Sequence, residues 1–97
     1  SKENKLIIEL KCRREHYDTL ILEKYKYNKL IQYSSQAEIR YITYTPKGIY
    51  SFNINELKDI NWTSGTMPMT TDFNRSQKIK KEFTMLSLDI AKVLKIN

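Results

Sequence analysis

The chain has 97 residues, of which 40% are hydrophobic and 29% are charged, and its formal net charge is +6. This length predicts one small domain, because each half of a two-domain chain would fall near the ~40-residue limit below which folding needs disulfides, metals or partners. Apolar runs reach only three residues, so the sequence predicts a cytoplasmic protein without a membrane partner. The single cysteine, Cys12, excludes an internal disulfide and is predicted to be a buried thiol.

The positive charge favours a polyanionic partner, because a small surface with this surplus attracts phosphate groups over a distance. Nucleic acid is the first expectation, with DNA ahead of RNA. Charge of this size also serves solubility, so it indicates a function only when a site accompanies it.

The first predicted element is a strand over residues 6–12, in which apolar and charged positions alternate. The face predicted to be core holds Leu6, Ile8, Leu10 and Cys12. The face predicted to carry charge holds Ile7, Glu9, Lys11 and Arg13. A helix over residues 20–33 follows, with Asp18 or Thr19 as its cap and an apolar stripe of Leu20, Tyr27 and Ile31.

The second half of the chain predicts a hairpin and then a further strand and helix. Residues 39–45 and 49–54 are rich in β-branched and aromatic residues and flank Pro46-Lys47-Gly48, a hairpin signature in which Gly48 is able to adopt a positive φ. Tyr41, Tyr44, Tyr50 and Phe52 of this hairpin are predicted to lie in the core. Residues 55–60 suit a short helix, 61–75 a polar loop, 79–86 a strand, and 87–96 a last helix capped by Ser87. The predicted fold is α/β or α+β, with a mixed sheet of about four strands and two main helices.

The tripeptide Glu9-Leu10-Lys11 carries the strongest chemical signal. Side chains two positions apart on a strand share a face, with Cα atoms roughly 6.6 Å apart, so Glu9 and Lys11 can reach one phosphate. Mg²⁺ takes oxygen ligands, and the Glu9 carboxylate with the Leu10 carbonyl would supply part of its shell. Lys11 would then stabilise charge that develops on the phosphate. The alternative is an ordinary solvated ion pair.

The segment Leu6–Arg13 (LIIELKCR), the following Tyr17–Lys24 (YDTLILEK) and the hairpin over 39–54 together resemble the PD-(D/E)XK nuclease superfamily, in particular small phage and plasmid nuclease-like domains. The resemblance implies a restriction-endonuclease-like core over residues 1–97 and hydrolysis of nucleic-acid phosphodiester bonds with Mg²⁺, or Mn²⁺. It places Glu9 as metal ligand and catalytic residue, the Leu10 carbonyl as second ligand, and Lys11 as catalytic cation.

The family has a second catalytic carboxylate, an Asp upstream of the motif. This sequence has no counterpart to it, because only residues 1–5 lie before the strand. The chain is therefore expected to be an N-terminally truncated piece, a degenerate homologue, or a domain in which Asp18 or Asp72 replaces that Asp. A strand with so little chain before it is also expected to be covered by a second copy, which predicts a homo-oligomer.

Basic residues near the motif are the predicted contacts to the nucleic-acid backbone, a contact that is salt-dependent and independent of base sequence. They are Arg13, Arg14, Lys24, Lys26, Lys29 and Arg75. A solvated helix face is the alternative for the three lysines. Three functions remain open at this point: a Mg²⁺-dependent endonuclease, a non-catalytic nucleic-acid-binding module, and an assembly protein of a phage or mobile element.

Overall fold

The computed structural model describes residues 5–68 and 78–97 and is an α+β fold. In chain order its elements are β1 (Lys5–Cys12), β2 (Thr19–Glu23), α1 (Lys24–Ile31), β3 (Ala37–Thr45), β4 (Gly48–Asn53), a 3₁₀ turn (Ile54–Glu56), β5 (Thr63–Pro68), β6 (Lys78–Ser87), a second 3₁₀ turn (Leu88–Ile90) and β7 (Lys92–Ile96). In these two described ranges no helix has the length and apolar character needed to span a bilayer.

The strands form two sheets. The first sheet has the order β1-β3-β4-β7, with β1 parallel to β3 and the other pairs antiparallel. The second sheet has the order β2-β6-β5 and is antiparallel. The prediction of a mixed four-stranded sheet is therefore confirmed, and the three-stranded sheet is an addition to it.

The core lies between the two sheets, where α1 also packs. Its buried residues are Leu20, Leu22, Ile39, Tyr41, Phe52, Ile54 and Leu86. Tyr27, Leu30 and Ile31 of α1 pack against this cluster, as does Trp62. The predicted burial of Tyr41, Tyr50 and Phe52 is confirmed, whereas Tyr44 is 41% exposed on the other side of the first sheet.

The predicted hairpin is confirmed as β3 and β4, which pair from Arg40 opposite Asn53 to Thr45 opposite Gly48. Gly48 does not have the positive φ that a glycine in this turn is able to adopt. A Cβ on Gly48 would meet the carbonyl oxygen of Lys95 at 2.2 Å. Gly48 is therefore required by the close approach of β7 to the hairpin.

The predicted helix begins four residues later than expected, because its first turn is the strand β2. Leu20 and Leu22 are both fully buried, which is the two-residue period of a strand, and they pair with Leu86 and Thr84 of β6. Thr19 lies within β2 and Asp18 precedes it, so neither caps the helix. Glu23 occupies the N-cap position without a side-chain hydrogen bond to the helix.

The two faces of β1 are the reverse of the prediction. Opposite residues of paired strands share a face, and buried Ile39 and Tyr41 lie opposite Ile7 and Glu9. The inner face of β1 therefore holds Ile7, Glu9 and Lys11. Its outer face holds Leu6, Ile8, Leu10 and Cys12, all exposed, so Cys12 is not a buried thiol.

The C-terminal segment forms a 3₁₀ turn and a strand where a helix was expected. Ser87 does act as a cap, since its hydroxyl accepts a hydrogen bond from the backbone N–H of Asp89 at 3.2 Å. The chain then continues as β7 and pairs with the open edge of β4, which offers backbone hydrogen bonds that an isolated short helix would lack. Similarly, β5 forms within the predicted loop because it pairs with β6, whose strand was predicted correctly.

Candidate nucleic-acid interface

Glu9 and Lys11 share the half-buried inner face of β1, as the tripeptide predicted. This face is turned toward α1, where the Glu9 carboxylate accepts from the Lys26 ammonium at 3.0 Å. Lys26 also lies 5.7 Å above the centre of the Tyr41 ring. The predicted motif is therefore part of a contact between β1 and α1.

A second ion pair lies close to this contact. Glu23, the last residue of β2, accepts from the Lys81 ammonium of β6 at 3.1 Å. Both Glu9 and Glu23 interact electrostatically with Lys11. We call the resulting group the inner charged cluster, and its members are Glu9, Lys11, Arg13, Glu23, Lys26 and Lys81.

Positive charge dominates the inner charged cluster around Lys11. Burial lowers the pKa of Lys11, and the neighbouring positive charges of Arg13 and Lys26 lower it further. For Lys26, burial lowers the pKa, but the hydrogen bond with Glu9 and the electrostatic interactions with Tyr41, Glu9 and Glu23 together outweigh burial, so its pKa is raised overall. Burial is thus the largest reason why the charged form of Lys11 is disfavoured, although Glu9 and Glu23 act in the opposite direction.

A buried hydroxyl lies beside Lys11 on the first sheet. Thr43 is the partner of Lys11 in the register of β1 and β3 and is 1% exposed. Its Oγ1 has no hydrogen-bond partner in the described portion of the chain. The surroundings of Lys11 therefore include the positive charges of Arg13 and Lys26 and an unsatisfied polar atom.

Two grooves run along α1, and Tyr25 lines both of them. The larger groove, of about 660 Å³, lies between α1 and β6, and the smaller, of about 190 Å³, lies between α1 and β1. Together they are lined by five lysines and three glutamates, with Lys26 and Lys29 in the smaller groove and Lys24, Lys80 and Lys81 in the larger. The surface around α1 is therefore both concave and cationic.

The structure brings together most of the predicted backbone contacts. Lys24, Lys26 and Lys29 all lie on α1, where Lys24 is 3.5 Å from Glu82 and Lys29 lies over the Tyr25 ring. Arg13 stacks on Tyr17, with its guanidinium 4.4 Å from the ring centre. Arg14 is exposed in the bend after β1. Arg75 lies outside the described residues.

The carboxylate expected to replace the upstream Asp is not found at Asp18. That side chain is 99% exposed and lies 3.7 Å from the imidazole of His16. Asp72, the other candidate, lies outside the described residues. The carboxylate that accompanies Glu9 near Lys11 is instead Glu23.

The donor set around Glu9 does not fit a divalent cation such as Mg²⁺ or Mn²⁺. Over residues 5–68 and 78–97, no three His, Cys, Asp or Glu side chains come close enough to hold a metal ion. Glu9 and Glu23 are each paired with a lysine, and Lys11 adds a third ammonium, which repels a cation. The described residues instead suit an anion.

Sequence reasoning missed Glu23, Tyr25 and Lys81. Glu23 was assigned to a helix, although its alternation with Leu20 and Leu22 is the signal of a strand. Tyr25 and Lys29 have the four-residue spacing of one helix face, a signal that was already present in the predicted helix of residues 20–33. Lys81 joins the cluster through the pairing of β2 with β6, which no local pattern indicates.

Comparisons with protein-family models, with curated proteins and with solved structures each found no match for this chain. Membership of the PD-(D/E)XK nucleases therefore stays a prediction from the Glu9-Leu10-Lys11 motif and its flanking segments.

Proposed function

We propose that this domain binds nucleic acid, DNA in the first instance, through the phosphate backbone at the cationic surface formed by α1, β1 and β6. The observation that carries the proposal is geometric: half-buried Lys11 lies with Arg13 and Lys26 beside the two lysine-lined grooves of α1. A phosphate placed there would relieve the repulsion among these three cations and accept charge-assisted hydrogen bonds from them.

Binding of this kind depends on salt, because each neutralised phosphate releases condensed counterions. The test is fluorescence anisotropy with labelled DNA over a salt series, using wild type, Lys11→Met and Arg13→Gln. Each variant is expected to bind more weakly and to reduce the slope of log affinity against log salt by roughly 0.9 on duplex DNA. Lys92→Met, at an exposed position on β7, is the matched control and should leave the slope unchanged. Absence of DNA binding by the wild type at low salt would overturn the proposal.

Glu9→Gln separates binding from hydrolysis. In a binding module this change removes a negative charge next to Lys26, so DNA affinity should rise a few-fold and a chelator should have no effect. In a PD-(D/E)XK nuclease the same change would abolish cleavage. Plasmid DNA incubated with Mg²⁺ or Mn²⁺ therefore provides the second readout: cleavage by wild type that is lost in both Glu9→Gln and Lys11→Ala would replace our proposal with the predicted nuclease.

Self-association is a second proposal, and the outer apolar face of the first sheet favours it. This face is formed by Leu6, Ile8, Leu10, Cys12, Ile42 and Tyr44, and Leu6 and Leu10 are each 57% exposed. An exposed apolar face of this kind, with polar residues around it, is typical of a protein–protein contact. A second copy placed on this face would leave the surface around α1 open to nucleic acid.

A further inference from the structure

The aromatic ring of Tyr25 stands between the two cationic grooves of α1. Tyr25 is 71% exposed, the largest exposure among the large hydrophobic residues of the described structure. It lines the groove toward β6 and also the groove toward β1. An exposed ring at this position leaves a face on which another planar group can stack.

The side chains on either side of the ring are lysines. Lys29, one helical turn later, has its ammonium 5.1 Å from the ring centre, and Lys24 precedes the ring on the side of β6. Lys29 restrains the ring through a cation–π contact, and most of the ring surface stays accessible. The arrangement is a ring flanked by ammonium groups, with a concave surface on each side.

We propose that Tyr25 stacks on a base of single-stranded nucleic acid, while the phosphates on each side of that base occupy the two grooves beside Lys26 and Lys24. Proteins that bind single strands combine a cationic groove with aromatic rings in this way, because every base has a face that can stack. The bases of a duplex are already stacked on each other, so a duplex can use the lysines but not the ring. This inference rests on the proposed nucleic-acid binding and specifies its substrate class.

The test compares a short single strand with a duplex of the same length at one salt concentration. The wild type should bind the single strand more tightly. Tyr25→Leu keeps an apolar side chain and a strong helix former but removes the ring. It should weaken single-strand binding roughly 5- to 150-fold, the range for loss of one base–aromatic stack, and change duplex binding less than about twofold. Tyr25→Phe should retain the preference.

Tyr33→Leu is the matched control, because Tyr33 is 45% exposed just beyond α1 and should leave both affinities unchanged. A strand that carries a fluorescent adenine analogue gives an independent signal, because stacking on Tyr25 quenches the fluorescence and Tyr25→Leu should restore it. Equal binding of single strand and duplex, or equal weakening of both by Tyr25→Leu, would overturn the inference and leave phosphate-backbone binding intact. No binding to either form would overturn both.

Discussion

Lys11 is a residue at which stability and the proposed binding of nucleic acid have opposite requirements. Its ammonium is half-buried on the inner face of β1 with Arg13 and Lys26 nearby, and burial together with these charges lowers its pKa. Folding therefore disfavours the protonated form that predominates at neutral pH. A group held this way indicates a functional site more than a structural one, because an apolar residue would be more stable at the same position.

We predict that Lys11→Met raises the free energy of unfolding at neutral pH while it weakens DNA binding. Between the lowered pKa of folded Lys11 and its ordinary value of 10.5, the unfolded wild type binds more protons than the folded wild type, so wild-type stability rises with pH there. The advantage of Lys11→Met should therefore shrink as the pH approaches 10.5. Urea unfolding at several pH values measures this, with Lys92→Met as control. A variant less stable than wild type at neutral pH would contradict it.

Thr43 provides a second residue-scale prediction. Its hydroxyl is buried without a hydrogen-bond partner in the described residues, and leaving such a group unsatisfied costs about 1–3 kcal/mol. Thr43→Val replaces the hydroxyl with a methyl group of similar shape, so it should stabilise the fold by about 1 kcal/mol. Chemical denaturation checks the value. Thr45→Val is the contrasting variant, because the Thr45 hydroxyl bonds His16 and the N–H of Lys47, and its removal should destabilise the fold.

At the scale of elements, Asn55 connects the 3₁₀ turn after β4 to the start of β3. Its Oδ1 accepts from the N–H of Ile39 at 2.7 Å, and its Nδ2 donates to the carbonyls of Ala37 at 3.0 Å and Ser34 at 3.2 Å. These three bonds hold the entry of β3 beside the end of the hairpin. At this point β3 pairs with β1 on one side only, because its pairing with β4 begins at Arg40, and Asn55 supplies hydrogen bonds on the other side.

We predict that Asn55→Ala destabilises the protein by about 2–4 kcal/mol, because it leaves the N–H of fully buried Ile39 without its acceptor. Asn61→Ala, at an exposed position before β5, should change stability by less than about 0.5 kcal/mol. Thermal unfolding followed by circular dichroism compares the two. A similar melting temperature for both variants would show that water replaces the Asn55 side chain.

The elements that sequence reasoning predicted correctly are those determined by local pattern. The strand through Glu9, the Pro46-Lys47-Gly48 hairpin and the strand through Phe83 all carry a two-residue period or a turn signal. The helix of residues 87–96 was wrong because the open edge of β4 decides that segment. The prediction for the two faces of β1 was wrong for a similar reason. The more apolar face of this strand is the exposed one, and only the register with β3 shows that Glu9 and Lys11 lie inside.

At the scale of the whole molecule, the two sides of the first sheet have different chemistry. The inner side carries the core and the inner charged cluster, and the outer side carries the exposed apolar residues of β1 and β3. The β1 strand also forms the edge of this sheet, and an edge strand with apolar side chains is a site for association. The predicted oligomer and the predicted nucleic-acid surface therefore lie on opposite sides of β1.

We predict that the protein is a dimer at micromolar concentration and that Leu10→Lys weakens the dimer about a hundredfold, because a charge would be placed in an apolar contact. Light scattering coupled to gel filtration measures the mass. Tyr33→Lys adds the same charge at an exposed position outside the outer apolar face and should leave the dimer intact. A monomeric wild type would contradict this prediction without affecting the proposal that the protein binds DNA.

The order in which the strands pair has a consequence for synthesis on the ribosome. β1 and β2 are made before their partners, since β3 is complete only at Thr45 and β6 begins at Lys78. The backbone of β2 therefore has no β6 strand to pair with while the residues between Glu23 and Lys78 are translated. Nascent chains stalled before Lys78 should stay sensitive to protease, because the second sheet cannot assemble without its central strand. Folding of this domain is thus delayed until nearly all of these residues have left the ribosome.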